Sequence, residues 1–306
     1  MIRSNSSVKV AVTKVENAIG STDKTENPFI DSLAVEEPLE IRLDYVDDLS
    51  TGHRKQKSVS ITMRTPGADP ELAVGFLFTE GLIQNRDDVI NVAHCGPKLA
   101  HLGQSNVIKV QLAPSEGVLR RLKNLDRNFY TTSSCGVCGK SSIEALKTLN
   151  QYNCRIFDTA ETRSADPTSR RFTVARKLLS TLPEKLREGQ AVFDRTGGLH
   201  ASGLFSSSGQ LLTIQEDVGR HNALDKLIGD AYLRNRLPLS NAILMLSGRI
   251  SFELVQKASM AGLKFIAAVG APSSLAVELA HEMDMTMVGF LRGPSFNLYC
   301  GERRLV

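Results

Sequence analysis

The chain turns on the run Ala242-Ile243-Leu244-Met245-Leu246-Ser247-Gly248-Arg249, followed by Phe265-Ile266-Ala267-Ala268-Val269-Gly270-Ala271-Pro272-Ser273 and then Met285 to Leu291. Each opens with a short, continuous apolar stretch. The first two break at small or turn-forming residues, and about ten residues of helical spacing follow each: Phe252 to Gly262, then the stretch to Met283. Strands apolar on both sides, separated by helices of that length, imply a sheet covered on both faces with right-handed crossovers. Such a sheet places its ligands at the carboxyl ends of its strands. Here those ends are Ser247-Gly248-Arg249, Gly270-Ala271-Pro272-Ser273 and Arg292-Gly293-Pro294.

Toward the N-terminus, Arg220 to Arg234 carries Ala223, Leu224, Leu227, Ile228 and Ala231 on one stripe, an amphipathic helix. Leu199 to Phe205 and Leu211 to Gln215 read as a hairpin turning at Ser208-Gly209. Phe172 to Leu186 has helical spacing interrupted at Pro183. A different texture fills 35–130. Leu39 to Leu43 and Val59 to Met63 alternate as a loose antiparallel pair, linked by a polar stretch from Asp47 to Lys57. Asp69-Pro70-Glu71 reads as a helix start with Asp69 as N-cap. Another strand spans Asn106 to Leu112, and a short basic helix Val118 to Leu125. The expected organisation is a mobile polar tail over 1–34, a smaller α+β domain over 35–130 and an α/β domain over 131–306.

The chain has 306 residues, enough for two domains, and an excess of +4 charges, too slight to argue for nucleic acid. No apolar run approaches the roughly 20 residues of a membrane span, and Met1 to Ala18 does not read as a signal peptide. The expected compartment is therefore the cytoplasm, where thiols stay reduced. Of five cysteines, Cys135 and Cys138 are closely spaced, whereas Cys95, Cys154 and Cys300 are scattered in the manner of buried thiols.

The paired cysteines lie in Thr131-Thr132-Ser133-Ser134-Cys135-Gly136-Val137-Cys138-Gly139-Lys140, just ahead of a capping-box pair, Ser141 and Glu144. A helix N-terminus and Lys140 would favour the thiolate, the form that attacks a persulfide. Three other readings stand beside this one. Structural zinc wants four ligands, and no second close pair exists. A thioredoxin-like pair would follow a strand directly. Two inert thiols would have little use for a glycine after each cysteine.

Two further signals are polar. Gly198-Leu199-His200-Ala201-Ser202 holds His-x-Ser where zinc deaminases hold His-x-Glu, so deaminase chemistry would lack its proton shuttle; a hydrogen-bonded histidine at a strand start is the simpler reading. Glu216-Asp217-Val218-Gly219-Arg220-His221-Asn222 crowds polar groups at a helix start. Asp217 suits an N-cap, while Arg220, His221 and the fork of Arg249 suit phosphate. Each taken alone is a common surface ion pair; together they favour a phosphate-bearing ligand.

Cys135-Gly136-Val137-Cys138-Gly139, Glu216 to His221 with Ala223 to Leu227, Ser247-Gly248-Arg249-Ile250-Ser251 and Val288-Gly289-Phe290 together resemble the formate dehydrogenase accessory sulfurtransferase family, from about Glu36 onward. The resemblance implies a cytidine-deaminase-like αβα sandwich with a mixed sheet, and a homodimer. It implies a carrier that takes persulfide sulfur from a cysteine desulfurase. The sulfur would pass to the molybdenum cofactor in its bis-molybdopterin guanine dinucleotide form, before that cofactor enters formate dehydrogenase. It maps the persulfide to Cys135 with Cys138 as companion, and cofactor binding to Phe290, Leu291, Arg292, Gly293, Pro294 and Ser295. Arg249, His221 and Asp217 join that site on the residue argument above. The cofactor, guanine nucleotide included, is then a bound substrate, and no tightly held metal, nucleic acid or membrane is expected. The alternative is a cofactor-binding chaperone that transfers no sulfur.

Overall fold

The computed structural model describes residues 6–17, 24–128 and 172–306. The three apolar runs become β9 (Ala242–Leu246), β10 (Phe265–Ala268) and β11 (Thr286–Arg292), parallel neighbours in a six-stranded sheet. Two hairpins flank them. β7 (His200–Ser206) pairs antiparallel with β9 and with β8 (Leu211–Asp217), and β12 (Ser295–Cys300) runs back along β11. The order is β12-β11-β10-β9-β7-β8, a mixed sheet as expected, although β12 was not read from the sequence.

Because successive residues of a strand face opposite sides, each strand feeds two cores. Leu204, Leu244, Leu246, Ile266, Ala268 and Met287 face a layer formed by α6 (Arg220–Leu233), α7 (Phe252–Met260) and α8 (Ser274–Glu282). Phe205, Ile243, Met245, Phe265, Ala267 and Val288 face α3 (Arg176–Leu179) and α4 (Leu182–Gly189). Pro183 lies in the first turn of α4, where its missing N–H is no loss, so it starts a helix instead of interrupting one. The short α5 (Ala191–Thr196) follows.

A second sheet, ordered β4-β3-β6-β5, joins β3 (Glu37–Asp48), β4 (His53–Arg64), β5 (Val89–His94) and β6 (Val107–Leu112), with α1 (Asp69–Thr79) and α2 (Glu116–Asn128). β3 and β4 pair as expected, yet they continue to a tight turn closed by Gly52 N–H on the Asp48 carbonyl, so the polar link is strand for most of its length. Residue 69 is also not the N-cap: Ala68 is, and the Asp69 carboxylate is buried on the guanidinium of Arg64, at 3.0 and 2.9 Å. A fully buried arginine left without that partner would be far more costly than a missing cap.

The two sheets share one continuous core, in which Leu39, Ile41, Leu77 and Ile108 belong with Leu224, Leu227 and Ile228. The joint is α1 on α6. A Cβ placed on Gly75 would lie 1.8 Å from the Asp225 carbonyl oxygen, and one on Gly229 would lie 1.8 Å from that of Glu71. Backbone meets backbone there. The expected stripe on α6 is consequently wider than predicted: every residue from Asn222 to Tyr232 is buried, charged ones included.

The polar N-terminal stretch forms a hairpin, not a tail. β1 (Ser7–Asn17) pairs along its whole length with β2 (Lys24–Ala34). Val8, Val10 and Val12 alternate with Lys9, Ala11 and Thr13, and the three valines are the partly buried set. The low overall hydrophobicity concealed that period of two.

Candidate functional site at the strand carboxyl ends

The turns after β9 and β10 and the end of β11 are stitched together by main chain. Gly270 N–H donates to the Gly248 carbonyl at 3.2 Å, Phe290 N–H to the Gly270 carbonyl at 3.1 Å, and Ile250 N–H to the Ala271 carbonyl at 3.0 Å. A Cβ on Gly270 would come within 2.8 Å of Gly248 O and 2.9 Å of Arg249 N. On Gly289 it would meet Gly270 O at 3.1 Å. The predicted convergence of these ends is therefore real, and its floor is backbone. Arg249 and Phe290 stand exposed above it, the latter with a left-handed φ of 51°.

The polar loop before α6 meets this rim from the side. His200 opens β7 with its ring against Gly248: a Cβ there would lie 3.3 Å from His200 Nδ1. His221 Nε2 lies 2.8 Å from Glu253 Oε2 and 3.3 Å from Ser251 Oγ. Both contacts use one ring nitrogen, so the trio cannot relay a proton as a Ser-His-acid triad does. The hydrogen bond from His221 holds the Glu253 carboxyl below its ordinary range, against the effect of burial. Burial, Arg220 and His221 together depress the His200 imidazole, with Asp217 opposing.

The FdhD/NarQ family pattern matches residues 34–306. This chain belongs to the FdhD/NarQ family. It is 48% identical over 295 residues, 96% of each chain, to a Streptomyces avermitilis protein named sulfur carrier protein FdhD. Proteins of the same name from Mycobacterium tuberculosis and Sulfurisphaera tokodaii are 47% and 43% identical, matching 90% and 97% of this chain and 92% and 98% of theirs. A crystal structure from Desulfotalea psychrophila, provisionally described as a formate dehydrogenase accessory protein, superposes with a TM-score of 0.65 at 20% identity, covering 97% of this chain and 99% of that one. At that identity it speaks to the fold alone. Among the described residues, no helix is long and apolar enough to cross a membrane.

Within this FdhD/NarQ chain the residues singled out by sequence separate into three groups. Arg249, His221 and Phe290 gather at the rim. Arg292, Gly293, Pro294 and Ser295 form the exposed turn between β11 and β12, closed where Arg292 pairs with Ser295. Two others are not ligand-facing. Leu291 is wholly buried in the second core, because the irregular register after Gly289 turns Phe290 outward and Leu291 in. Asp217 is also wholly buried, and its carboxylate is spent on Lys226 Nζ at 2.7 Å, Gly219 N–H at 2.9 Å, Asn222 Nδ2 at 3.0 Å and Thr65 N–H at 3.2 Å. It anchors the loop to the end of β4. Cys135, Cys138 and Cys154 lie outside the described residues. Cys300 is buried, which raises its thiol, and it donates to the Met285 carbonyl at 3.3 Å, while Cys95 is half-buried.

Sequence reasoning missed the members of this family chain that hold the site in place. Glu216, read as part of a polar cluster, accepts the N–H groups of Val192 and Phe193 at 3.0 and 2.8 Å and so caps α5. Replacing it with alanine should cost about 1 kcal/mol, measurable as a lowered Tm with the rim unchanged. Lys226 and Lys257, each nearly buried, pair with Asp217 and Asp225. Asp225 and Lys226 fall off the apolar stripe, on the face where an amphipathic helix carries polar residues, so the local pattern did not announce their burial.

Proposed function

We propose that this protein is a sulfur carrier for formate dehydrogenase maturation: Cys135 takes persulfide sulfur from a cysteine desulfurase and delivers it to a bis-molybdopterin guanine dinucleotide cofactor bound at the rim. The observation that carries this reading is 43–48% identity over nearly the whole length to proteins named sulfur carrier protein FdhD, in a chain with Cys135-Gly136-Val137-Cys138. The rim supports the second half, because cationic side chains and free helix N–H groups at strand carboxyl ends suit phosphates.

The proposed step balances without an added oxidant. Cys135 thiolate attacks the outer sulfur of the desulfurase persulfide, the desulfurase cysteine leaves as thiolate, and Cys135 carries the S–SH group. On delivery Cys138 thiolate either takes the outer sulfur, with Cys135 leaving as thiolate, or attacks Sγ of Cys135, closing a disulfide and releasing the outer sulfur as hydrosulfide to the cofactor, which is substrate here. The two thiols supply the electrons, and a thiol reductant reopens the disulfide. Phe290, Arg292 and Ser295 offer an aromatic face and polar groups to the cofactor's guanine nucleotide end, with Arg249 and His221 on its phosphates. The chemistry needs reduced thiols, which suits the cytoplasm as the proposed compartment, and a homodimer is the proposed assembly.

Intact-mass spectrometry after incubation with a cysteine desulfurase and cysteine tests this directly. Wild type should gain a sulfur atom that reductant removes, and Cys135→Ala should gain none while still binding GDP. A Cys135→Ala protein that is loaded as fully as wild type would overturn the assignment. No gain in any form would favour a chaperone that delivers cofactor alone.

A further inference from the structure

The N-terminal hairpin of β1 and β2 has no function in the account above, and all but its last residue precedes the span 34–306 of the family pattern. Its base is fixed. Val35 N–H donates to the Ser6 carbonyl at 3.0 Å, β2 touches α5, and a Cβ on Gly198 would lie 3.5 Å from the Ala34 Cβ. Gly198 is two residues from His200, so the base lies beside the rim. From there each strand runs 11 residues, about 37 Å.

Cross-strand pairing sets Val8 beside Leu33, Val10 beside Asp31 and Val12 beside Phe29, so five apolar side chains share one face. Phe29 is 45% exposed and Leu33 43%, and on the other face Ile30 is 69% exposed. Two strands with that much open apolar surface are marginal; stability takes three or more strands with a hydrophobic face. The two outer edges differ. β2 carries Pro28, a residue with no N–H to offer a further strand. β1 has neither proline nor glycine, five of its 11 residues are β-branched, and among the described residues it pairs with no strand but β2. It is the edge left open to another chain.

We propose that β1 pairs antiparallel with β1 of a second copy about a two-fold axis, merging the two hairpins into one four-stranded sheet ordered β2-β1-β1-β2. This rests on the homodimer reading and names the surface that makes the dimer. A two-fold axis normal to the sheet joins β1 to itself and keeps each face on its own side. The Val8, Val10 and Val12 face thereby becomes continuous across four strands. Lys9 and Lys14 stand on opposite faces, so neither meets the other across the pair. An apolar, lightly charged contact suits a permanent partner such as a second copy more than a transient one. Each base lies beside its own rim, so the joined sheet holds both rims on one frame.

Sedimentation of the full chain and hydrogen exchange on the wild-type protein test this together. Wild type should sediment as a dimer at micromolar concentration. Its β1 amides should exchange slowly throughout, as in an inner strand, while about half of those in β2 exchange fast. Phe29→Asp combined with Leu33→Asp should weaken the dimer by about 100-fold or more, with the far-UV circular dichroism of a folded chain. A wild-type dimer in which alternate β1 amides exchange fast would place the contact elsewhere, overturning the inference and leaving the homodimer reading standing; that arm needs no variant to fold. A folded double variant that dimerises as tightly as wild type would overturn it equally. A wild-type monomer would remove both, and β1 protection that appears only on adding a cysteine desulfurase would give the edge to that partner instead.

Discussion

Gly229→Ala should yield protein that fails to fold. The added methyl would stand 1.8 Å from the Glu71 carbonyl oxygen and 2.9 Å from the Gly75 nitrogen, and both are main chain of a packed helix. A rotamer change relieves a clash with a side chain; this one is relieved only by separating α1 from α6. Overpacking in cores costs about 1–3 kcal/mol where neighbours can adjust, and here they cannot, while a typical domain has about 5–15 kcal/mol in all. Gly75→Ala should behave alike, since its Cβ meets Asp225 O at the same distance. Gly117→Ala is the control. It too lies in a helix, but its Cβ would find Arg121 Nη1 at 3.4 Å, an ordinary contact, so helix propensity should make it neutral or slightly stabilising. Soluble yield and circular dichroism melts distinguish the cases. A Gly229→Ala protein with a wild-type melt would mean that the helices do not touch as described.

Lys257→Met should lower stability by about 3–5 kcal/mol, the cost of stranding a buried carboxylate. Lys257 Nζ sits 2.9 Å from both Asp225 oxygens and 2.9 Å from Thr79 Oγ1, tying α7 to α6 and α1. The loss should depend on pH with a definite sign. Burial raises the Asp225 carboxyl above its ordinary value, and the Lys257 charge is the main force holding it down. Without that charge the folded-state value climbs further. A carboxyl whose folded value exceeds its unfolded one contributes stability that is complete at low pH and is lost as pH rises through the folded value. The Tm deficit of Lys257→Met should therefore shrink in mild acid and grow in mild alkali. A deficit that is flat across that range, or larger in acid, would show that Asp225 is not the group left stranded.

The central part of this fold could be read from the chain because β9, β10 and β11 are apolar on both sides and separated by helices of regular length, so pattern and burial agree. β12 escaped because Ser295 to Cys300 is an exposed edge strand, where alternation is diluted. Gly75 and Gly229 escaped for a different reason: a glycine inside a helix weakens the helix in sequence terms, and nothing local announces that a second backbone needs the space. Asp69 and Asp217 were both misassigned by the same logic. An aspartate near a helix start satisfies the rule for an N-cap, yet Arg64, five residues before Asp69, and Lys226, nine residues after Asp217, are buried beside these carboxylates and prevail. At the site, residue types pointed to Arg249 and His221, and the structure leaves Arg249 exposed above the rim and sets His221 on Glu253. The division of labour between Phe290, outward, and Leu291, inward, depends on one irregular register that composition does not encode.

The rim built on Gly248, Gly270 and Gly289 carries a consequence for how such proteins diversify. Its floor is held by N–H and carbonyl groups that every sequence possesses, so the exposed side chains of Arg249 and Phe290 stand above the floor without supporting it. Foundation and specificity are in that sense inherited separately. A lineage can exchange the residues that grip a cargo while the glycines stay fixed, and mutational tolerance across this edge should fall sharply from one position to the next: permissive at 249 and intolerant at 270.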